Sequence, residues 1–166
     1  MKYRTLGKTE FCISEVSLGA WQLGGVWGQP FDDALADRTL AQAFDAGINF
    51  IDTADVYSDG LSEKAVGRFV KSHRDKVFFA TKCGRRLRPH VAEGYNEKNI
   101  RGFVDDSLRT MGLDSLDLLQ LHCPPTQVYY TPEVFDTLDR IKAEGKIRYY
   151  GVSVEKVEEA LKAIEF

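Results

Sequence analysis

Short apolar runs alternate with longer stretches of helical periodicity along most of this chain. Val16 to Gly19, Asn49 to Asp52, Val77 to Lys82, Leu116 to Leu121 and Ile147 to Val152 are short and nearly continuous in apolar character. Such runs predict strands of a sheet covered on both faces. Between them the apolar positions recur every three or four residues. Ile100, Phe103, Val104, Ser107, Leu108 and Met111 mark one buried helical face with one small polar member, between a cap at Asn96 and a stop at Gly112. Asp32 or Asp33 caps an earlier helix that reaches about Ala46 and stops at Gly47. Ser62 is expected to cap a helix over Glu63 to about Ser72, with Leu61 and Val66 at staple spacing. Thr131 before Pro132 opens a helix lined by Val134, Leu138 and Ile141 and closed by Gly145. Ser153 is expected to cap the last helix, with Val157, Ala160, Leu161 and Ile164 on one face.

The strand–helix units recur about every 30 to 40 residues, the rhythm of right-handed crossovers in a parallel sheet. Ahead of them, Tyr3 to Leu6 and Phe11 to Ile13 flank Gly7-Lys8-Thr9-Glu10 and predict a hairpin. An open nucleotide-binding sheet usually carries a GxGxxG turn after its first strand. Here that turn reads Gly24-Gly25-Val26-Trp27-Gly28, with the wrong spacing. A (β/α)8 TIM barrel fits the repeat better. Such a barrel takes roughly 250 residues, and five units are present. The expectation is one α/β domain over 1–166, either a smaller sheet or a partial barrel of about five parallel strands, with the hairpin over 1–15 and the units over 16–166.

Composition narrows the class. Of 166 residues, 43% are hydrophobic and 28% charged, which suits a soluble globular domain. A net charge of −3 argues against nucleic acid as the main partner, since phosphate binding needs a basic face. No apolar run approaches the roughly 18 residues of a membrane helix, and Met1 to Thr5 has no signal-peptide core. Cys12, Cys83 and Cys123 are odd in number and lack CxxC spacing, so they read as reduced thiols of a cytoplasmic protein.

Candidate chemistry lies at the strand ends. Residues two apart share a face of a strand, so Phe50 with Asp52, Ala80 with Lys82, and Gln120 with His122 each end in a polar group at the edge where α/β folds bind ligands. Tyr57 follows on the loop after Asp52. A phenol ionises near pH 10, and a nearby ammonium favours the phenolate. Lys82 could supply that charge, Asp52 could hold Lys82, and His122 could donate to a substrate oxygen. The set could polarise and protonate a carbonyl while hydride arrives at carbon. None of these groups donates hydride, so a nicotinamide cofactor is required. Taken singly, each has a plainer reading: Asp52 as a turn cap, Lys82 as a solvated strand end, His122 as a structural hydrogen-bonder. Cys83, His122 and Cys123 suggest zinc, but alternation turns both cysteines away from Lys82 and His122. Arg85, Arg86 and Arg88 read mainly as a solvated loop and secondarily as contacts for a substrate anion. Trp21 and Trp27 are core residues or walls of a substrate pocket.

Gly19-Ala20-Trp21, Gly47 to Tyr57, Thr81-Lys82, Asp117 to His122, Gly145 to Arg148 and Gly151 to Ser153 occur in an order and at separations that resemble the aldo-keto reductases. The resemblance implies an NADP(H)-dependent (β/α)8 barrel oxidoreductase acting on small carbonyl or alcohol substrates, with the hairpin plugging the barrel bottom. It implies Tyr57 as general acid, Lys82 tuning it, Asp52 pairing with Lys82, and His122 orienting the carbonyl. Trp21 and Trp27 would line the substrate pocket, and Ala20, Trp21, Asp52 and Ser153 would face the cofactor. The chain departs from the family at Val154, where asparagine is common, and at Ala20, where threonine is common. It is also about half the family length, so the sixth to eighth strands are missing and with them much of the grip on the cofactor's phosphates. Two other readings follow: a non-catalytic cofactor-sensing or partner-binding module, as in potassium-channel beta subunits, and a truncated chain that self-associates through open sheet edges.

Overall fold

The computed structural model describes residues 1–26 and 28–165, so Trp27 lies outside the described residues. Strands β1 (Tyr3–Thr5) and β2 (Cys12–Ser14) form an antiparallel hairpin. Strands β3 (Leu18–Gly19), β4 (Phe50–Asp52), β5 (Phe78–Cys83), β6 (Leu116–His122) and β7 (Ile147–Ser153) form a parallel sheet in chain order. Helices α1 (Asp33–Asp45), α2 (Leu61–Ser72), α3 (Glu97–Met111) and α4 (Pro132–Ala143) connect the strands, and α5 (Val157–Ala163) follows β7. Each strand pairs with its neighbours in sequence, with no reversal of the order. That is barrel winding; a doubly wound sheet has a switch point.

Two apolar layers explain why the strands are nearly continuous in hydrophobicity. Ile51, Phe79, Leu119 and Leu121 pack with Val66, Ile100, Val104, Leu138 and Ile141 of the helices. On the other face, Phe11 and Ile13 of the hairpin pack with Phe50 and Ala80, flanked by Phe78, Leu118 and Tyr149. Phe11 stacks on Phe78 at 4.6 Å between ring centroids and meets Tyr149 edge-on at 5.1 Å. Asn49 fixes the hairpin: its Oδ1 accepts from Ser14 N at 2.7 Å and its Nδ2 donates to Cys12 O at 3.0 Å. The hairpin thus closes one end of the face whose other end carries the polar residues.

Several expected caps are present. Asp32 accepts from Leu35 N and Asn96 from Asn99 N, and Gly47, Gly112 and Gly145 have φ of +90°, +68° and +80°. Others differ. Helix α2 starts at Leu61 after a left-handed Gly60, and Ser62 does not cap it. The buried Ser62 hydroxyl instead donates to Ala20 O and bonds the Thr53 hydroxyl, both at 2.9 Å, tying β3's exit to β4's. Leu61 is itself the first residue of α2, so it does not stand before the cap where a staple needs it. The Thr131 hydroxyl donates back to Gln127 O and accepts no cap bond from an α4 N–H. Ser153 ends β7, and α5 begins later, after Lys156. Val157, Leu161 and Ile164 of the last segment are 63 to 80% exposed, where their periodicity predicts a buried face. Among the described residues no helix is long and apolar enough to cross a membrane.

Where α2 crosses α3, Gly67 has no room for a side chain: a Cβ would lie 2.3 Å from Met111 O and 2.5 Å from Met111 Cα. Glycine to alanine inside an exposed helix normally stabilises by about 1 kcal/mol. Gly67→Ala is expected to do the reverse, costing about 1–3 kcal/mol through overpacking. A urea-unfolding midpoint above that of the parent protein would contradict this close approach.

Candidate active site

Strand register sets the positions of the polar groups. Asp52 pairs with Ala80, Lys82 with Gln120, and His122 with Ser153. Lys82 therefore sits one side-chain step above Asp52's level, and His122 a further step above Lys82's. After β4 the chain stays attached to β5, with Thr53 N donating to Ala80 O at 2.9 Å and Asp55 N to Lys82 O at 3.1 Å. A turn closed by Tyr57 N to Ala54 O at 3.1 Å then carries Tyr57 back over Lys82. Ser58, Asp59 and Gly60 follow with φ of +49°, +51° and +87° and redirect the chain into α2. Two non-glycine residues in the left-handed region are uncommon and mark a tightly determined turn.

The Lys82 ammonium uses all its donors. Its Nζ donates to Asp52 Oδ1 at 2.5 Å, Thr53 O at 2.8 Å and the Tyr57 hydroxyl at 3.3 Å. The Lys82 side chain is 7% exposed and that of Asp52 34%, so one member of the pair is dry and the other touches water. The Tyr57 and His122 rings meet edge to face at 5.9 Å. His122 Nδ1 is buried with no hydrogen-bond partner among the described residues. Burial, and then the charges of Lys82, Arg85 and His90, push the His122 pKa down to about 4. The imidazole is thus neutral at pH 7 and available as a hydrogen-bond donor. The arrangement offers a carbonyl oxygen two donors, Tyr57 and His122, beside a fixed cation.

The other expected site residues divide. Trp21 is exposed and, with Leu23, Phe31, Tyr57 and Leu61, lines a cleft of about 410 Å³. Ala20 is fully buried in the core between sheet and helices, where its backbone bonds Asp52 O and Ser62 Oγ. Contrary to expectation, its methyl has no surface to offer a cofactor. Ser153 lies beside His122 in register, with its Oγ 3.7 Å from Cys123 Sγ. Among the described residues no cluster of three histidine, cysteine or acidic groups could hold a metal ion.

Two buried acids beside the site are not marked by the strand-end pattern. Asp55 is 3% exposed, and its carboxylate oxygens have no hydrogen-bond partner among the described residues. Arg86 Nε stands 3.7 Å from Asp55 Oδ2, and Arg86 Nη2 also donates to Asp55 O, so Arg86 is not merely solvated. Burial raises the Asp55 pKa to about 7 against the pull of Arg86, and the neighbouring Glu63 adds to the rise. Glu63 is buried too, accepts from Thr81 Oγ1 at 2.6 Å, and is likewise raised by burial. Gln120 Oε1 is a third omission, buried without a partner among the described residues. Its signal was the shared face with His122.

The family profile described as Aldo/keto reductase family matches residues 15–165. The chain belongs to the aldo/keto reductase family. It is 36% identical over 163 residues to L-galactose dehydrogenase of Arabidopsis thaliana, covering 92% of this chain and 48% of that protein. It is 35% identical to the NADH-specific methylglyoxal reductase of Escherichia coli (strain K12), covering 92% and 52%. Among solved structures, a holo-form aldo-keto reductase from Bacillus halodurans superposes with a TM-score of 0.83 at 34% identity, over 98% of this chain and 54% of that one. An aldo-keto reductase from Klebsiella pneumoniae in complex with NADPH superposes with a TM-score of 0.72 at 28% identity, over 91% and 49%. The chain spans about half the length of these relatives. Its fold is accordingly the five-stranded part of an aldo/keto reductase barrel.

The two shifted groups oppose one another in pH dependence. Between pH 6.5 and 4 the unfolded chain takes up a proton at His122 that the folded chain refuses, so stability falls as pH falls. Folded Asp55 keeps its proton up to about pH 7, whereas the unfolded acid releases it above 3.8, so stability falls as pH rises across that window. Asp55→Asn removes the second effect. The urea midpoint of that variant is expected to climb more steeply from pH 4 to 6.5 than the parent's, and parallel profiles would show that Asp55 is not protonated in the folded state.

Proposed function

We propose that this chain carries the reacting end of an NADP(H)-dependent oxidoreductase that reduces aldehydes or ketones to alcohols, or runs the reverse. The observation that carries the reading is the Lys82 ammonium, held by Asp52 Oδ1 and Thr53 O and facing the Tyr57 hydroxyl, with a neutral His122 alongside. A carbonyl oxygen placed between Tyr57 and His122 receives two hydrogen bonds, which polarise the C=O bond. As carbon is reduced the oxygen becomes basic and takes the Tyr57 proton. Lys82 stabilises the phenolate left behind, and Asp52 keeps Lys82 from swinging toward it. His122 contributes a hydrogen bond and no proton, because its surroundings disfavour the charged form from which it could act as an acid.

A nicotinamide, when bound, would supply the hydride that the carbonyl carbon needs. The chain has groups that suit such a ring. Gln120 Oε1 is an unused buried acceptor, the Ser153 hydroxyl can donate or accept, and nothing lies within 4 Å of where a Cβ of Gly151 would stand. A carboxamide presents the matching donors and acceptor. Val154 adds no hydrogen-bonding side chain. Phosphate sites of such barrels are commonly built by the loops after the seventh and eighth strands, so these residues account for the nicotinamide end of the cofactor alone. Relatives named as an NADH-specific reductase and as a complex with NADPH support a nicotinamide as the cofactor class.

Tyr57→Phe in the protein carrying this chain removes the proton donor and little volume. It is expected to lower kcat for aldehyde reduction by about 10²–10⁴-fold while leaving NADPH binding and the circular-dichroism spectrum in place. Aldehyde-dependent NADPH oxidation at the parent rate would overturn the assignment.

A further inference from the structure

The loop between β5 and α3 carries more positive charge than the proposed reaction uses. Arg86 is committed to Asp55. Arg85, Arg88 and His90 are not, and with Val56 they line a second cleft of about 290 Å³. Val56 also lines the Trp21 cleft, so the two meet at the residue before Tyr57. Arg85 follows Lys82 by three positions, which roots this wall in the strand that carries the site's cation.

The polar groups of the second cleft are held in place. Arg88 Nη1 donates to both Arg85 O and Leu87 O at 2.8 Å, which fixes the guanidinium through one nitrogen. His90 Nε2 lies 2.8 Å from the Tyr95 hydroxyl. The acid nearest Arg85 is Glu155, 3.9 Å away with both side chains exposed, a contact worth about 0–1 kcal/mol. The field of these groups reaches the reacting edge, since Arg85 and His90 join Lys82 in disfavouring a charged His122. A guanidinium with free donors is suited to the planar oxygens of a carboxylate or phosphate.

We propose that Arg85, Arg88 and His90 form an anion-binding subsite beside Tyr57, selecting carbonyl substrates that bear a carboxylate or a phosphate. The proposal rests on the reductase reading for its substrate and on the cleft for its charge preference. Trp21 and Phe31 would face the uncharged part of such a molecule from the neighbouring cleft.

Two measurements separate the claims. First, inorganic phosphate and succinate are titrated into the protein and followed through the ring resonances of its three histidines. Burial, then Arg85 and Arg88, hold His90 below its ordinary pKa. An anion between the guanidiniums should move the His90 resonance and raise its titration midpoint, and the Arg85→Gln, Arg88→Gln double variant should lose this response. Second, kcat/KM is compared for succinic semialdehyde against butanal and for glyceraldehyde 3-phosphate against glyceraldehyde. The anionic-to-neutral ratio should fall about tenfold to a hundredfold in the glutamine variant, as for lost charge-assisted hydrogen bonds, and less in the Arg85→Lys, Arg88→Lys variant. A fall in the carboxylate pair alone, or the phosphate pair alone, assigns the subsite to that anion. An unchanged ratio in both pairs, with a silent His90, overturns the subsite while leaving Tyr57 as proton donor. Failure of Tyr57→Phe to affect turnover overturns the reductase reading, and the histidine titration then still decides whether the cleft binds anions.

Discussion

A lysine ammonium almost removed from water organises the candidate site. Desolvating such a cation costs several kcal/mol, repaid only by full hydrogen bonding and an opposite charge. Lys82 has both, through Asp52 Oδ1, Thr53 O and Tyr57 OH. The first two partners come from the end of β4, and the third from the turn that β4 enters. Removing any of them leaves a buried charge short of a partner, so Asp52, Thr53 and Tyr57 are held at fixed distances from one atom. A buried ion pair is weak evidence for stability, because an apolar replacement often serves the fold as well. Its presence at a strand end, with the acid half wet and the lysine dry, fits a site that must hold charge next to a reacting oxygen.

The barrel winding makes that arrangement possible. Chain-order pairing puts β4, β5 and β6 side by side, and the register raises Lys82 above Asp52 and His122 above Lys82. The same face is closed at its far end by Phe11 and Ile13 packed on Phe50 and Ala80. Water is thereby kept from Lys82 from below, and its carboxylate and phenol partners hold it from the side and above. The apolar plug and the polar edge are two ends of one alternating pattern.

That pattern was legible in the sequence, because alternation depends only on the backbone. It placed Asp52, Lys82 and His122 on one face and predicted the stops at Gly47, Gly112 and Gly145, where a positive φ is local chemistry. The missed features depend on what packs against a residue. Asp55 looks like any loop acid until Lys82 O fixes its backbone and the fold closes over its carboxyl. Ser62 has the sequence of a cap, but a buried hydroxyl beside Ala20 O and Thr53 has better partners than the helix end. Ala20 stands at a position that the resemblance turns toward the cofactor, and it lies in the core. The apolar stripe of α5 is legible as a stripe, yet periodicity says which residues share a face and not what covers it.

The positive edge also bears on which group gives up its proton in the proposed reaction. An imidazolium would be the stronger acid, but Lys82, Arg85 and His90 disfavour one at His122, and burial disfavours it more. Charging His122 would bring another cation into a place that already holds one with no solvent around it. In the proposed reaction the Tyr57 hydroxyl, 3.3 Å from the same ammonium, is the group placed to give its proton to the substrate oxygen. The cations that, after burial, keep His122 neutral would also draw a substrate's negative charge toward Arg85 and Arg88. Under the proposed reaction, hydrogen-bond donor and substrate charge would both answer to the cations around the C-terminal ends of β4, β5 and β6.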